Sequence, residues 1–62
     1  MRTGKFVICA SSAGEFYFVL KSVNGEIIAT SEMYGKKAGC KRGIAAVQKY
    51  AKTAKIEEEL QY

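Results

Sequence analysis

The chain has 62 residues, of which 48% are hydrophobic, with a formal net charge of +4 and neither histidine nor proline. A single domain of this length buries only about 60% of the surface that its unfolded chain exposes, so it is marginal on its own. The high apolar fraction excludes a disordered chain. No apolar run is long enough to cross a bilayer, and residues 1–14 lack a signal-peptide hydrophobic stretch, so we expect a cytoplasmic protein with no membrane partner.

Three segments with strand patterns fill the first half of the chain. Each is rich in β-branched and aromatic residues, and turn residues separate them. Their predicted bounds are Lys5–Ala10, Glu15–Ser22 and Glu26–Ser31. Asn24 and Gly25 predict a two-residue type I′ hairpin turn between the last two strands, with Val23 facing Glu26.

Counting outward from this turn assigns the strand side chains to two faces of a sheet. Leu20 falls opposite Ala29, and Phe18 falls opposite Ser31, on the face that we expect to form the core with Phe16. The other face is more apolar than a solvated sheet face requires. We interpret it as a candidate protein-contact surface, which comprises Val7, Cys9, Tyr17, Val19 and Ile28.

A helix is predicted from near Lys36, after a loop over Glu32–Gly35. Its apolar residues recur at spacings of four, three and four and form one stripe, Cys40, Ile44, Val47 and Ala51. Gly43 lies beside this stripe, although a glycine within a helix costs about 1 kcal/mol relative to alanine. We therefore expect a close approach of the helix backbone to the sheet at Gly43, with Ala29 beneath it.

Residues 53–62 leave two alternatives open. No glycine or proline ends the helix there, and the Ala, Lys, Glu and Leu residues favour its continuation. Ala54 and Ile56 instead alternate with Lys55 and Glu57, as they do in a short strand. The period over so few residues does not decide between helix and strand.

Charge is distributed unevenly along the second half of the chain. Six cations and no acid lie between residues 36 and 52, and Glu57, Glu58 and Glu59 follow. Cations at a helix amino terminus oppose the macrodipole unless an anion sits there. We identify a candidate anion or nucleic-acid contact that comprises Lys36, Lys37, Lys41 and Arg42. The alternative is that these side chains only keep the outer face of the helix soluble.

The available residue types argue against catalysis and metal binding. The chain has no histidine and no aspartate, on which acid–base and nucleophilic catalysis often depend. Cys9 and Cys40 form no CxxC pair, and a zinc site would lack its usual ligands. We expect no enzymatic activity, no metal and no cofactor, and we interpret both cysteines as small buried hydrophobes.

Several motifs resemble those of the YegP-like family of small bacterial proteins. They are Gly4-Lys5-Phe6, Phe18-Val19-Leu20-Lys21, the run from Asn24 to Glu32, Tyr34, Lys37-Ala38, Cys40, Gly43-Ile44, Val47 and Ala54-Lys55-Ile56. The resemblance spans almost the whole chain. Gly35 and Gly39 depart from the family pattern, because the family more often has polar residues at these positions. The chain also lacks the proline that often precedes the last strand in the family.

The resemblance implies an α+β fold with a three-stranded antiparallel meander, one helix packed on one face and a short C-terminal strand. It also implies that two units join into a single sheet and exchange their last strands, here residues 54–58. Because residues 1–62 form one such domain without an internal repeat, we expect a homodimer. The family supplies no catalytic or ligand-binding residues. We therefore predict a binding or interaction module with a protein partner, and weak nucleic-acid or phosphate binding through the basic helix is the alternative.

Overall fold

The computed structural model describes residues 3–60 and contains a three-stranded antiparallel sheet and one helix. The elements are β1 (Lys5–Ala10), β2 (Phe16–Lys21), β3 (Ile27–Thr30) and α1 (Lys37–Ala51). The strand order β1-β2-β3 makes β2 central and leaves an outer edge on each of the other two strands. The predicted meander and helix are confirmed, and β2 and β3 are each one residue shorter at both ends than predicted.

Both hairpins close through three-residue loops that end in glycine. Gly14 and Gly25 have φ values of 80° and 87°, in the left-handed region. Gly25 N–H donates to Ser22 O at 3.0 Å, and Ser22 N–H donates to Glu26 O at 2.8 Å, as in a type I turn followed by a left-handed residue. The predicted type I′ turn is wrong, because it also requires a positive φ at Asn24, and only glycines have one among the described residues.

The pairing of β2 with β3 changes register along its length. Next to the turn, Glu26 faces Ser22 rather than Val23, as the hydrogen bond between them requires. A bulge beside Leu20 then adds one residue to β3, and from there Leu20 pairs with Ala29 as predicted. The longer loop and the bulge shift the register in opposite directions, so the predicted core face is retained.

Pairing with β2 continues beyond β3 through Ser31 and Tyr34. Ser31 N–H donates to Phe18 O, and Phe18 N–H donates to Ser31 Oγ, both at 2.9 Å, so the hydroxyl replaces a strand carbonyl. Phe16 and Tyr34 then exchange two backbone hydrogen bonds of 2.7 and 2.8 Å. The predicted loop over Glu32–Gly35 is therefore wrong at Tyr34, which these bonds hold beside the central strand.

Aromatic side chains on the helix side of the sheet form the core. Phe18 is 6% exposed, and Cys40 of α1 is fully buried. The Phe18 ring stacks on Tyr34 with centroids 6.3 Å apart, and the Phe6 ring meets it edge-on at 5.8 Å. Because α1 packs chiefly against β2, these rings set the position of the helix over the central strand.

The helix backbone comes close to the sheet side chains at Gly43. A Cβ atom added there would lie 2.9 Å from Tyr34 Cζ and 3.2 Å from Phe18 Cε2. The close approach predicted at Gly43 is confirmed. The prediction of Ala29 beneath it is wrong, because the pairing of Tyr34 with β2 brings the phenol ring under the helix instead.

The helix ends at Ala51, and residues 54–60 have no regular secondary structure. The last backbone hydrogen bond of this region joins Thr53 N–H to Tyr50 O at 3.3 Å. Continuation of the helix is therefore the wrong alternative over these residues. The apolar stripe also stops at Ala51, and further turns without sheet contacts are marginal in water. The short strand stays a prediction, because a strand forms only beside a pairing neighbour.

We expect Gly43→Ala to lower the free energy of unfolding. Alanine favours helix by about 1 kcal/mol, but the added Cβ displaces the Tyr34 ring and disturbs core packing by about 1–3 kcal/mol. Urea denaturation at fixed protein concentration measures the change. Gly39→Ala is the matched control, because its Cβ would lie at an ordinary 3.5 Å from Tyr34 Cδ1. Equal stability of the two variants would contradict the close approach.

Candidate functional site

A groove of about 270 Å³ lies between β1 and the first turns of α1. It forms because α1 packs chiefly over β2 and leaves the neighbouring strand uncovered on the helix side. Its lining residues are Ile8, Cys9, Ala10, Phe16, Lys37 and Lys41. Of these, Cys9 lies between Ile8 and Ala10 on β1, and its side chain belongs to the other face of the sheet. This β1–α1 groove is thus a largely apolar recess with a cationic rim.

The two lysines of the rim share one flank of the helix. Lys37 and Lys41 are exposed and lie four residues apart, so they are neighbours on consecutive turns. Like charges at this spacing destabilise a helix by about 0.2–0.5 kcal/mol. The first turn contains no acidic residue, and Lys36 at the N-cap position makes no side-chain capping hydrogen bond. A negatively charged group at the rim would relieve this repulsion.

The four predicted anion contacts do not form one cluster. Lys37 and Lys41 border the groove, whereas Arg42 does not, and its guanidinium lies beside Gly39, about 100° around the helix from Lys41. Lys36 is exposed and precedes the first helical residue. The structure therefore brings together two of the four cations and separates Arg42 from them.

The predicted protein-contact face lies on the side of the sheet away from α1. Val7 pairs with Val19, and Cys9 pairs with Tyr17, so these four side chains share that face. Val19 is only 6% exposed, whereas Ile28 is 63% exposed on β3. A partner on this face would thus contact Val7, Tyr17 and Ile28, with Val19 supporting the sheet beneath them.

The segment that follows α1 is exposed throughout residues 54–60. Ile56 is 97% exposed and Leu60 is 65% exposed, and three glutamates separate them in sequence. The Cα radius of gyration is 13.6 Å, whereas a compact chain of this length would have about 10.6 Å. The C-terminal segment (residues 54–60) therefore extends from the body of the domain and presents two apolar side chains to solvent.

The described part of the chain shows neither a metal cluster nor a membrane-spanning helix. Across residues 3–60, no three side chains among His, Cys, Asp and Glu are grouped to hold a metal ion. The helix there is not long and apolar enough to cross a bilayer. Cys9 and Cys40 are free thiols. Cys40 is buried as predicted, but Cys9 is only partly buried, because its face of the sheet carries no helix.

The β1–α1 groove was not predicted from the sequence. The alternation of β1 does place Ile8 and Ala10 on the helix side, and the spacing of Lys37 and Lys41 does indicate a shared flank. These patterns do not give the position of α1 across the sheet, which decides which strand it leaves uncovered. That position depends on Tyr34, which the sequence pattern assigns to a loop.

Comparison with known proteins identifies the family. The profile of a domain of unknown function, DUF1508, matches residues 11–58. A UPF0339 protein of Treponema denticola is 47% identical over 55 residues, which cover 89% of this chain and 95% of that protein. The chain belongs to this family. Since the UPF0339 proteins include YegP, the predicted YegP-like membership is confirmed.

The YegP-like relatives differ in length. The UPF0339 protein YegP of Yersinia pestis is 48% identical over 48 residues, which cover 77% of this chain but 43% of that protein. A UPF0339 protein of Acinetobacter baylyi is 51% identical over 47 residues, or 42% of its own length. This chain thus spans about two fifths of these longer relatives and nearly all of the treponemal one.

A solved structure supports the α+β fold. The NMR solution structure of a protein from Haloferax volcanii superimposes with a TM-score of 0.84 at 30% identity. The match covers 95% of this chain and all of that one. The three-stranded sheet with one helix is therefore common to a YegP-like chain and a structure determined in solution.

We expect Cys9→Ala to lower the pKa of Tyr17. A hydrogen bond to the Cys9 side chain raises the pKa of Tyr17 above its usual value, and the charge of the Cys9 thiolate adds to this effect. A raised pKa in the folded state means that this contact contributes to the free energy of unfolding at pH values below the usual tyrosine pKa. The contribution is lost as the pH rises through the raised pKa of Tyr17. NMR titration of the tyrosine rings measures the change. Val7→Ala on the same face is the control, and an unchanged Tyr17 pKa in Cys9→Ala would contradict the contact.

Proposed function

We propose that this chain is a binding module that works as a homodimer and has no catalytic activity of its own. In this dimer, residues 54–58 of each molecule form a strand beside the sheet of the other. The observation that carries the proposal is the exposure of Ile56 at 97% in a segment without secondary structure. Burial of a large aliphatic side chain stabilises a protein by about 1.5–3 kcal/mol relative to leaving the side chain in water.

The small core of the single chain also supports association. Only Phe18, Val19 and Cys40 are buried hydrophobic residues within the described chain. Within residues 3–60, both outer strands have an edge without a strand partner, and such edges are templates for pairing with another chain. A second molecule would supply both the apolar contacts and the strand partners that one copy lacks.

The same proposal assigns the face away from α1 to a protein partner. Its available side chains are Val7, Tyr17 and Ile28, with Ile28 the most exposed of them. We propose no catalytic residues, because the glutamates lie in loops or in the C-terminal segment and the chain has no histidine to pair with them. Two free cysteines support a reducing cytoplasmic location.

Weak nucleic-acid or phosphate binding through α1 is the second candidate function. The uncapped helix start and the exposed pair Lys37 and Lys41 favour it. The position of Arg42 outside the groove weakens it, because contacts to a phosphate backbone need several cations on one surface. Fluorescence anisotropy at low salt tests this candidate. We expect no binding to duplex or single-stranded nucleic acid at micromolar protein, and binding that Lys37→Glu abolishes would favour the alternative.

We expect light scattering to give twice the mass of one 6.8 kDa chain. A variant that ends at Thr53 should give the mass of a single chain and should unfold at lower urea, because it lacks the exchanged strand. Ile56→Asp should shift the equilibrium toward monomer, whereas Ile56→Val is the matched control that keeps an apolar side chain. A folded wild-type monomer at all accessible concentrations would contradict the homodimer.

A further inference from the structure

We infer that the face of the sheet away from α1 binds an amphipathic helix of a partner protein, with acidic residues at one end of that helix placed over Lys5 and Lys21. This inference rests on the proposed function as a binding module, and it names the chemistry of the protein partner. The proposed exchange of C-terminal strands concerns the edges of the sheet. The partner helix and the homodimer are therefore tested separately.

Two lysines lie side by side at one end of this face. Lys5 of β1 pairs with Lys21 of β2, in the register that also pairs Val7 with Val19. Residues two apart along a strand share a face, so both lysine side chains belong to the side away from α1. Lys21 is part of the central strand. It therefore does not serve as an edge charge of the kind that blocks strand addition.

Gly4 keeps the two lysines opposite each other. A Cβ atom added at Gly4 would lie 2.6 Å from Lys21 O, which is too close for any side-chain carbon. The chain thus enters β1 directly against the backbone of Lys21, and Lys5 follows. A larger residue at position 4 would push the start of β1 away from β2.

This arrangement of charge costs stability in the free protein. Like charges at directly paired positions destabilise a sheet, and β1, β2 and β3 contain no acidic residue that could offset the repulsion. Proteins depart from such local rules chiefly at functional sites. A carboxylate group held over Lys5 and Lys21 can accept a hydrogen bond from each ammonium group. The pair therefore indicates a ligand with negative charge at this end of the face.

The rest of the face is apolar and has the dimensions of one helix. Val7 and Tyr17 are partly buried around Val19, and Ile28 is exposed. The face extends about 13 Å along β1 from Lys5 to Cys9 and about 10 Å across the three strands. A helix with its side chains is about 10–12 Å wide, so it fits along this face over β2, as α1 does on the other side.

A partner on this face has to satisfy its own backbone hydrogen bonds. The backbone of β2 pairs with β1 on one side, and with β3 and the residues that follow it on the other. The face therefore offers side chains and no free backbone groups of the central strand. A helix forms its backbone hydrogen bonds internally, whereas an extended segment laid on the face would bury unpaired N–H and C=O groups.

The same observations disfavour a nucleic acid or a second copy on this face. Bases bind sheet surfaces by stacking on several aromatic rings, and Tyr17 is the only aromatic residue that the three strands place on this side. A second copy would bring another Lys5 and Lys21 pair, and its strands contain no acidic residue to meet the first pair.

Selection from a phage-displayed library of single helices tests the class of partner. The library randomises one apolar stripe and the residues at both helix ends. We expect the enriched helices to carry Asp or Glu at one end of an apolar stripe, and we expect them to be lost against the double variant Lys5→Glu with Lys21→Glu. Enriched helices that bind this face without acidic residues would overturn the inference and leave the protein-contact face intact. Failure to enrich any helix on this face would overturn both, and the mass from light scattering would still report separately on the homodimer.

Charge reversal tests the role of the lysine pair in the affinity for the most enriched peptide. We expect Lys21→Glu to weaken binding at least about tenfold in isothermal titration calorimetry. Lys49→Glu is the matched control, because it changes the net charge equally at an exposed position of α1, and it should weaken binding less than about threefold. Equal effects of the two variants would overturn the inference.

A charge exchange tests the contact from both sides. A peptide with its acidic residues replaced by lysine should bind the double variant Lys5→Glu with Lys21→Glu better than it binds the wild-type protein. No preference for the double variant would overturn the placement of the acidic end over the lysine pair.

Urea denaturation separates a binding role of Lys21 from a structural one. Lys21→Glu places opposite charges at the paired positions, so its denaturation midpoint should equal or exceed that of the wild type while its affinity for the peptide falls. A clearly lowered midpoint would show that Lys21 serves the fold, and it would overturn the inference.

NMR titration of the labelled protein locates the bound peptide. We expect the signals of Val7, Tyr17 and Ile28 to shift more than those of α1. Shifts centred on the β1–α1 groove would overturn the position of the site. A polythymidine oligonucleotide that binds this face as tightly as the peptide would overturn the class of partner.

Discussion

The contact of Tyr34 and Phe18 with the helix backbone at Gly43 determines how the layers of this molecule fit together. Two backbone hydrogen bonds to Phe16 hold Tyr34 beside β2, and its ring stacks on Phe18. The helix can rest on these rings only because Gly43 has no side chain. This contact keeps α1 over the central strand. The outer strands are therefore left with less cover, and the β1–α1 groove is the direct result.

This placement of the helix explains why the single chain leaves apolar groups in water. A 15-residue helix is about 22 Å long and one helix wide, so it cannot cover all three strands. Cys40 is its only fully buried side chain within the described residues. The exposed Ile56 and Leu60 then lie in a segment without a pairing neighbour. A domain of this size gains the most stability when another molecule supplies the missing contacts.

Local sequence patterns predicted the elements better than the contacts between them. The bounds of β1 were predicted correctly, and so was the inward side of the helix at Cys40, Ile44 and Val47, because alternation and helical spacing report on burial. The last residue of the predicted stripe, Ala51, is exposed at the end of the helix. The turn at Gly25 was mispredicted, since Asn-Gly fits both a type I′ turn and a type I turn with a left-handed glycine. The groove could not be predicted, because it depends on the pairing of Tyr34 with Phe16. Tyr34 lies outside any regular strand pattern in the sequence.

Membership of the YegP-like family agrees with a fold that can occur in chains of one unit and within longer proteins. We propose that residues 54–60 find their pairing partner in another molecule. Amide hydrogen exchange of the full-length chain at two protein concentrations tests it most directly. We expect the amides within residues 55–59 to be protected, and we expect this protection to weaken on dilution. Exchange of these amides at unprotected rates, while those of β2 stay protected at both concentrations, would contradict it.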